Sequence, residues 1–228
     1  MFGGESFTTS VKKLLRLPWV KIRATEYDYV YGSRKVIKDP NNPNQQHYYS
    51  VDLWTSEGSK YAPLIPRNTI LYGELIGWVP GTETPIQKGY TYQVPVGECH
   101  LWVYRVSVVT EDGGQYDLGD KAMREFCGQR GLNVVPKLWE GYKPWFQPEV
   151  WLDQKFRWEY DLCGAEESDI LSEPVPLAKE SPVDEGVVIR VEGVIPTMFK
   201  LKGNAFYAYE TRVLDSGEAD LETEGSSE

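Results

Sequence analysis

The segment DEGVVIRVEGVIPTMFKLK, Asp184 to Lys202, holds two strand-length runs whose side chains alternate, and it constrains the chain more than any other stretch. Successive strand residues point to opposite faces, so Glu185, Val187 and Ile189 share one face in EGVVIRV, and Val188 and Arg190 share the other. In FKLK the same period puts Lys200 and Lys202 together above Phe199 and Leu201. Two ammonium groups side by side repel. The arrangement suits either a solvated strand edge with protective lysines or a site where a polyanion such as a phosphate lies between them.

The remaining sequence reads mainly as strands. TILYGELIGWV, YTYQVPV and HLWVYRVSVV are strand-like, and EDGG closes the last as a hairpin turn. YDYVYGSRKVIK alternates like a strand, and DPNNPNQQ is a loop dense in turn formers. SFTTSVKKLLRLPWV carries cap residues before a short basic amphipathic stretch that Pro18 stops, and DKAMREFCGQRGL has helical spacing through Met123, Phe126 and Cys127. Strands outnumber helices without a long βαβ alternation. The expected class is α+β on mainly antiparallel sheet. The end of the chain, ETRVLDSGEADLETEGSSE, has few large apolar residues and reads as an acidic disordered tail over 210–228, after a domain spanning 1–209.

Charge and cysteine content narrow the function classes. A formal charge of −10 over 228 residues means that any nucleic-acid partner must meet a local basic groove, because no global field attracts it. Cys99, Cys127 and Cys163 are odd in number and widely spaced, which suggests neither a disulfide framework nor a metal-binding pair. No apolar run reaches membrane-spanning length and no signal-peptide pattern opens the chain, so a membrane role is not expected and the cytoplasm is the default compartment. The two histidines, His47 and His100, give little support to a histidine metal site or a catalytic triad. Trp139, Trp145, Trp151 and Trp158 read as packing residues rather than a base-stacking platform.

Three further patches have chemical potential. Glu74 shares a face with Ile76 and Trp78, and Gly73 and Gly77 allow close backbone approach beside it. Arg34 follows a small serine, where a guanidinium fork can reach a sugar or phosphate oxygen. Tyr104 stands mid-strand, where its ring can stack on a base. Each also has an ordinary reading, as a solvated strand residue, a surface cation and a core aromatic.

In chain order, GSRK, LYGEL, VYRV, DEGVVIR and FKLK resemble motifs Ia, III, IIIa, IV and V of the covalent nucleotidyltransferases, the superfamily of ATP-dependent ligases and mRNA capping enzymes. The intervening PIQKGYTYQVPVGECHLWVYRVSVV and REFCGQRGLNVVPKLWEG are similar to phage-type RNA ligases of the RNA ligase 2 kind, and the likeness runs from Tyr27 to Tyr207. The resemblance implies two mainly antiparallel sheets flanking a nucleotide-binding groove. It implies ATP and Mg²⁺ as cofactors and broken or nicked RNA as substrate, with 5′-phosphate and 3′-hydroxyl ends joined through lysyl-AMP and RNA-adenylate. It also implies roles for residues: Lys200 and Lys202 on the α-phosphate, Glu185 on the metal or its waters, Glu74 on the ribose, Tyr104 on adenine, and Arg34 on the ribose or the 5′-phosphate.

One family element has no counterpart. The nucleophilic lysine stands in a K-x-D-G or K-x-x-G motif upstream of the others, whereas the only K-x-x-G here is KLKG, already motif V. Lys12, Lys13 and Lys21 precede Ser33 without a following Asp-Gly. The expectation is therefore a chain truncated at its N-terminus, inactive alone, with a complementary N-terminal fragment as a partner. The alternatives are a non-catalytic module that binds nucleotide or nucleic acid, and a complete enzyme with an unrecognised lysine. A DNA ligase or capping-enzyme relative fits less well, since only the acidic tail follows motif V.

Overall fold

The computed structural model describes residues 28–33, 36–38, 49, 51–142, 147–150, 152 and 185–215. Its contacts divide the chain into two compact units, residues 1–67 and 68–228.

In the first unit, the run expected as one strand is folded back on itself. Strands β1 (Tyr31–Gly32) and β2 (Ile37–Lys38) pair antiparallel, and the Ser33 N–H donates to Val36 O at 2.9 Å across the turn. Helix α1 (Leu53–Tyr61), which the sequence pattern did not signal, is capped by Asp52, whose carboxylate accepts from the Thr55 N–H at 3.1 Å. A Cβ on Gly58 would lie 2.8 Å from Cε1 of Tyr31, so only glycine lets the ring pack there. Glu57 is buried, and both its oxygens accept from Lys60, which reaches outward from the next turn. The expected N-terminal helix and the loop around His47 lie outside the described residues.

The second unit is built on strand β4 (Cys99–Val109), which pairs antiparallel along its length with β3 (Thr69–Gly77). Its other edge is shared. β5 (Gln115–Asp117) pairs antiparallel with one end, and the short β6 (Asn133–Val134) runs parallel beside Trp102 and Val103. The Thr110–Gly114 turn between β4 and β5 is the hairpin expected from EDGG, with Gly113 at φ 86°. Helix α2 (Asp120–Gly128) matches the helical spacing of DKAMREFCG and buries Met123 and Cys127. Strands β7 (Gly186–Val191) and β8 (Thr197–Lys202) form a separate antiparallel pair, and helix α3 (Asn204–Asp215) follows at once. The described residues thus form an α+β fold in which β4 and β6 pair parallel and the other described strand pairs run antiparallel.

One expected strand is corrected. YTYQVPV is not a strand: it winds through turns with Tyr92 and Gln93 at φ 53° and 58°, which brings Val94 O onto the Trp78 Nε1–H at 2.9 Å and Tyr90 into the core. Helix α3 runs from Asn204 to Asp215, and Phe206 anchors it. That ring is fully buried and meets Tyr90 edge-on at 6.2 Å. Residues 216–228 lie outside those described.

The β3–β4 pair contains a bulge that the alternating pattern does not reveal. Tyr72 is opposite Arg105 while Gly73 is opposite Val103, leaving Tyr104 as the extra residue. Val103 and Val106 are an odd number of positions apart, so regular alternation would send them to opposite faces. The bulge returns both to the side of Gly73 and Leu71, and both are wholly buried. Gly73 permits the close approach: a Cβ there would sit 2.6 Å from the Trp102 carbonyl oxygen and 2.8 Å from Leu101 Cδ1. Gly73→Ala is therefore expected to destabilise the protein by about 1–3 kcal/mol, the range for forcing atoms into a packed site. A chemical denaturation midpoint unchanged from the parent would show that the strands separate without cost.

Candidate nucleotide-binding site

Glu185, Lys200 and Lys202 come together through the β7–β8 register. Gly186 is opposite Lys202 and Val188 is opposite Lys200, so both lysines and the residue preceding the strand lie at one end of the hairpin. The Gly203 N–H donates to Glu185 O at 3.0 Å and pins that end. Gly186 has φ 146°, and a Cβ on it would lie 2.7 Å from the Lys202 Cα, so the E-G pair permits a backbone approach that no other residue type tolerates. The Glu185 carboxylate meets Lys200 Nζ at 2.6 Å, in an ion pair half open to solvent on the lysine side.

Lys202 has different company. Its Nζ donates to Glu210 Oε1 at 3.1 Å and lies 4.9 Å from the centre of the Phe206 ring, both on α3. This pair is sheltered, with side-chain exposures of 13% and 17% against 50% and 25% for Lys200 and Glu185. Glu210 lies in the stretch whose composition reads as a tail. The spacing of Phe206, Tyr209 and Glu210 after Asn204 is the helical signal that reveals it.

The hairpin is tied to the rest of the unit at its other end. Arg190 donates through Nε to Glu192 at 2.5 Å and through Nη2 to the carbonyl of Leu118. Glu192 also accepts from the Asp120 N–H at 3.0 Å, at the first turn of α2, whose cap residue Gly119 has no side chain to do so. A residue 72 positions away thus caps the helix.

Glu74 is exposed on β3 opposite Trp102, and Tyr104 is the bulge residue one strand over. The face that Glu74 shares through β3 carries a polar network. Arg105 lies 4.5 Å over the Tyr72 ring and donates to Asp117 at 2.9 Å, and buried Ser107 donates to the same carboxylate at 2.6 Å. Arg34 lies outside the described residues. Among the described residues no three His, Cys, Asp or Glu side chains cluster to hold a metal ion. None of the described helices is long and apolar enough to cross a membrane.

With this geometry the chain matches the family model for RNA ligases over residues 4–202, and it belongs to that family of RNA-ligase-type nucleotidyltransferases. The match begins upstream of Tyr27, where the motif-by-motif likeness starts. A comparison with curated proteins found no match.

The charges of the network set a pH limit. Burial pushes the Asp117 carboxyl up, but hydrogen bonds from Ser107 and Arg105 and the charges of Arg105 and Arg190 outweigh it and leave the group below its ordinary range. Asp120 behaves alike: burial raises it, and Lys137 and Arg124 more than compensate. A carboxyl whose folded pKa is depressed contributes stability that is present above its unfolded pKa, about 4, and is lost as pH falls through the folded value. Denaturant midpoints are accordingly expected to drop below about pH 4, and Asp117→Asn to flatten that decline. An equally steep acid limb in the variant would show that Asp117 does not contribute to it.

Proposed function

We propose that this chain supplies the nucleotide-binding and phosphate-binding parts of an ATP-dependent RNA ligase, which joins 5′-phosphate and 3′-hydroxyl RNA ends through lysyl-AMP and RNA-adenylate. The observation that carries the reading is the Lys200–Glu185 pair at 2.6 Å beside Lys202, at the end of one glycine-pinned hairpin. Displacement at phosphorus needs positioned cations more than acids and bases, and the two ammonium groups of this hairpin would meet the charge that builds on the α-phosphate. A groove between the β3–β4 sheet and the β7–β8 pair is the proposed seat of the nucleotide. Glu74 binds the ribose there and Tyr104 stacks on adenine, while the role that the resemblance implies for Arg34 falls on a residue outside those described.

The donor set fits Mg²⁺ in one respect. This small cation is usually held by one or two carboxylates together with substrate phosphates and waters, and of the two carboxylates beside the lysines Glu185 is in the more exposed pair. When bound, Mg²⁺ would withdraw negative charge from the phosphates. Glu185 is the residue that would hold it or its waters, and Lys200 would then turn from the carboxylate to the phosphate.

In the first step a lysine amine attacks the α-phosphorus, a bond to the bridging oxygen breaks, and pyrophosphate leaves with its electrons. No K-x-D-G occurs in the sequence to supply this lysine. The same feature favours a second reading, a module that binds nucleotide or nucleic acid without catalysis.

Labelling with α-labelled ATP and Mg²⁺ separates these readings. The chain alone is expected to form no acid-labile, alkali-stable phosphoamide, and a K-x-D-G segment fused upstream or added in trans is expected to become labelled. Lys200→Ala or Glu185→Ala should then reduce labelling by about 100-fold or more, the size of losing one group that stabilises charge in the transition state. Efficient labelling of the bare chain at Lys12, Lys13 or Lys21 would place the nucleophile within it. ATP binding without labelling in any form would select the non-catalytic module.

A further inference from the structure

The two lysines of β8 each face a carboxylate, but the two carboxylates are not equivalent. Glu185 belongs to the hairpin, and its pair with Lys200 is the more exposed one, so partners can be exchanged there with water filling in. Glu210 stands on α3, in the sheltered pair with Lys202, over the Phe206 ring. A helix anchored by a fully buried phenylalanine holds that carboxylate in place. Any anion that approaches Lys202 therefore meets a fixed negative charge already hydrogen-bonded to the same ammonium. In a sheltered setting such a like charge is poorly screened.

We propose that Glu210 is an electrostatic competitor of the phosphate ligand for Lys202, so that helix α3 sets the affinity of the site for nucleotide. The inference rests on the reading of Lys202 as a phosphate-binding residue. An ammonium has three N–H donors, so the arriving phosphate can share Lys202 with Glu210 or displace it, and either way binding is weakened by the carboxylate's charge. Replacing that charge with an amide retains an acceptor for Lys202 and removes the repulsion. The role is local. Removing an acidic charge elsewhere in the same unit, at Glu140, which is exposed and paired with Lys137, does not have this effect.

Calorimetric titration with α,β-methylene-ATP and Mg²⁺, which measures binding without transfer, tests this directly. Glu210→Gln is expected to bind about three- to tenfold more tightly than the parent, the size of removing one partly screened like charge near the ligand. Glu140→Gln is expected to bind as the parent does. If Glu210→Gln does not fold, Glu210→Asp, which withdraws the carboxylate by one methylene, is expected to show a smaller gain in the same direction. Parent binding that is unchanged or weakened in the folded Glu210 variant overturns the competition while leaving the nucleotide reading intact. An equal gain in Glu140→Gln overturns it in favour of a general charge effect. No binding by any of these chains overturns the nucleotide reading and this inference together.

Discussion

Two ammonium groups on one face of a strand, two residues apart, repel unless each is met by a negative charge, and the end of the β7–β8 hairpin is arranged around that constraint. Glu185 meets Lys200 from within the hairpin, and Glu210 meets Lys202 from α3. Both pairs depend on backbone geometry. Gly186 lets the strands close to where a Cβ would collide with β8, and the Gly203 N–H holds Glu185 in line. The helix that brings Glu210 is seated by Phe206 against Tyr90, which ties the charge balance of the hairpin to the hydrophobic core.

The same hairpin is fixed at its far end by hydrogen bonds rather than apolar burial. Its exposed apolar residues include Val188, Val194, Ile195 and Phe199, so packing alone does not explain its position. Arg190 and Glu192 supply the link by holding the Leu118 carbonyl and the first turn of α2. Hydrogen bonds to charged groups contribute about 1.5–3 kcal/mol each, enough for a few of them to hold a two-stranded element that would be marginal alone. The contact also couples the strand that follows Glu185 to the edge of the β4 sheet.

Where the sequence was legible, one local rule decided the structure. Strands β3, β4, β7 and β8 coincide with the strand-like runs of the sequence, and α2 follows its 3.6-residue spacing. Legibility failed where tertiary contacts overrode the local rule. YTYQVPV has strand composition, yet Tyr90 enters the core and Tyr92 and Gln93 take left-handed turns. The bulge at Tyr104 breaks the alternation that was used to assign faces, and only the joint burial of Val103 and Val106 exposes it. β6 is too short to carry a pattern, and its parallel pairing with β4 depends on where α2 returns the chain. Among the candidate site residues, the Glu185–Lys200 meeting follows from strand register, a short-range property. Glu210 did not, because composition counts acidic residues without saying which face of a helix they occupy.

The proposed function turns on the position of the α-phosphate. Diffraction from crystals grown with ATPαS and Mg²⁺, using the anomalous signal of sulfur, would locate that atom directly. The α-phosphorothioate is expected beside Lys200 Nζ and Lys202 Nζ, within about 3–4 Å of both, at charge-assisted hydrogen-bond or ion-pair distance. Nucleotide bound away from β8, with Lys200 still on Glu185 and Lys202 still on Glu210, would contradict it.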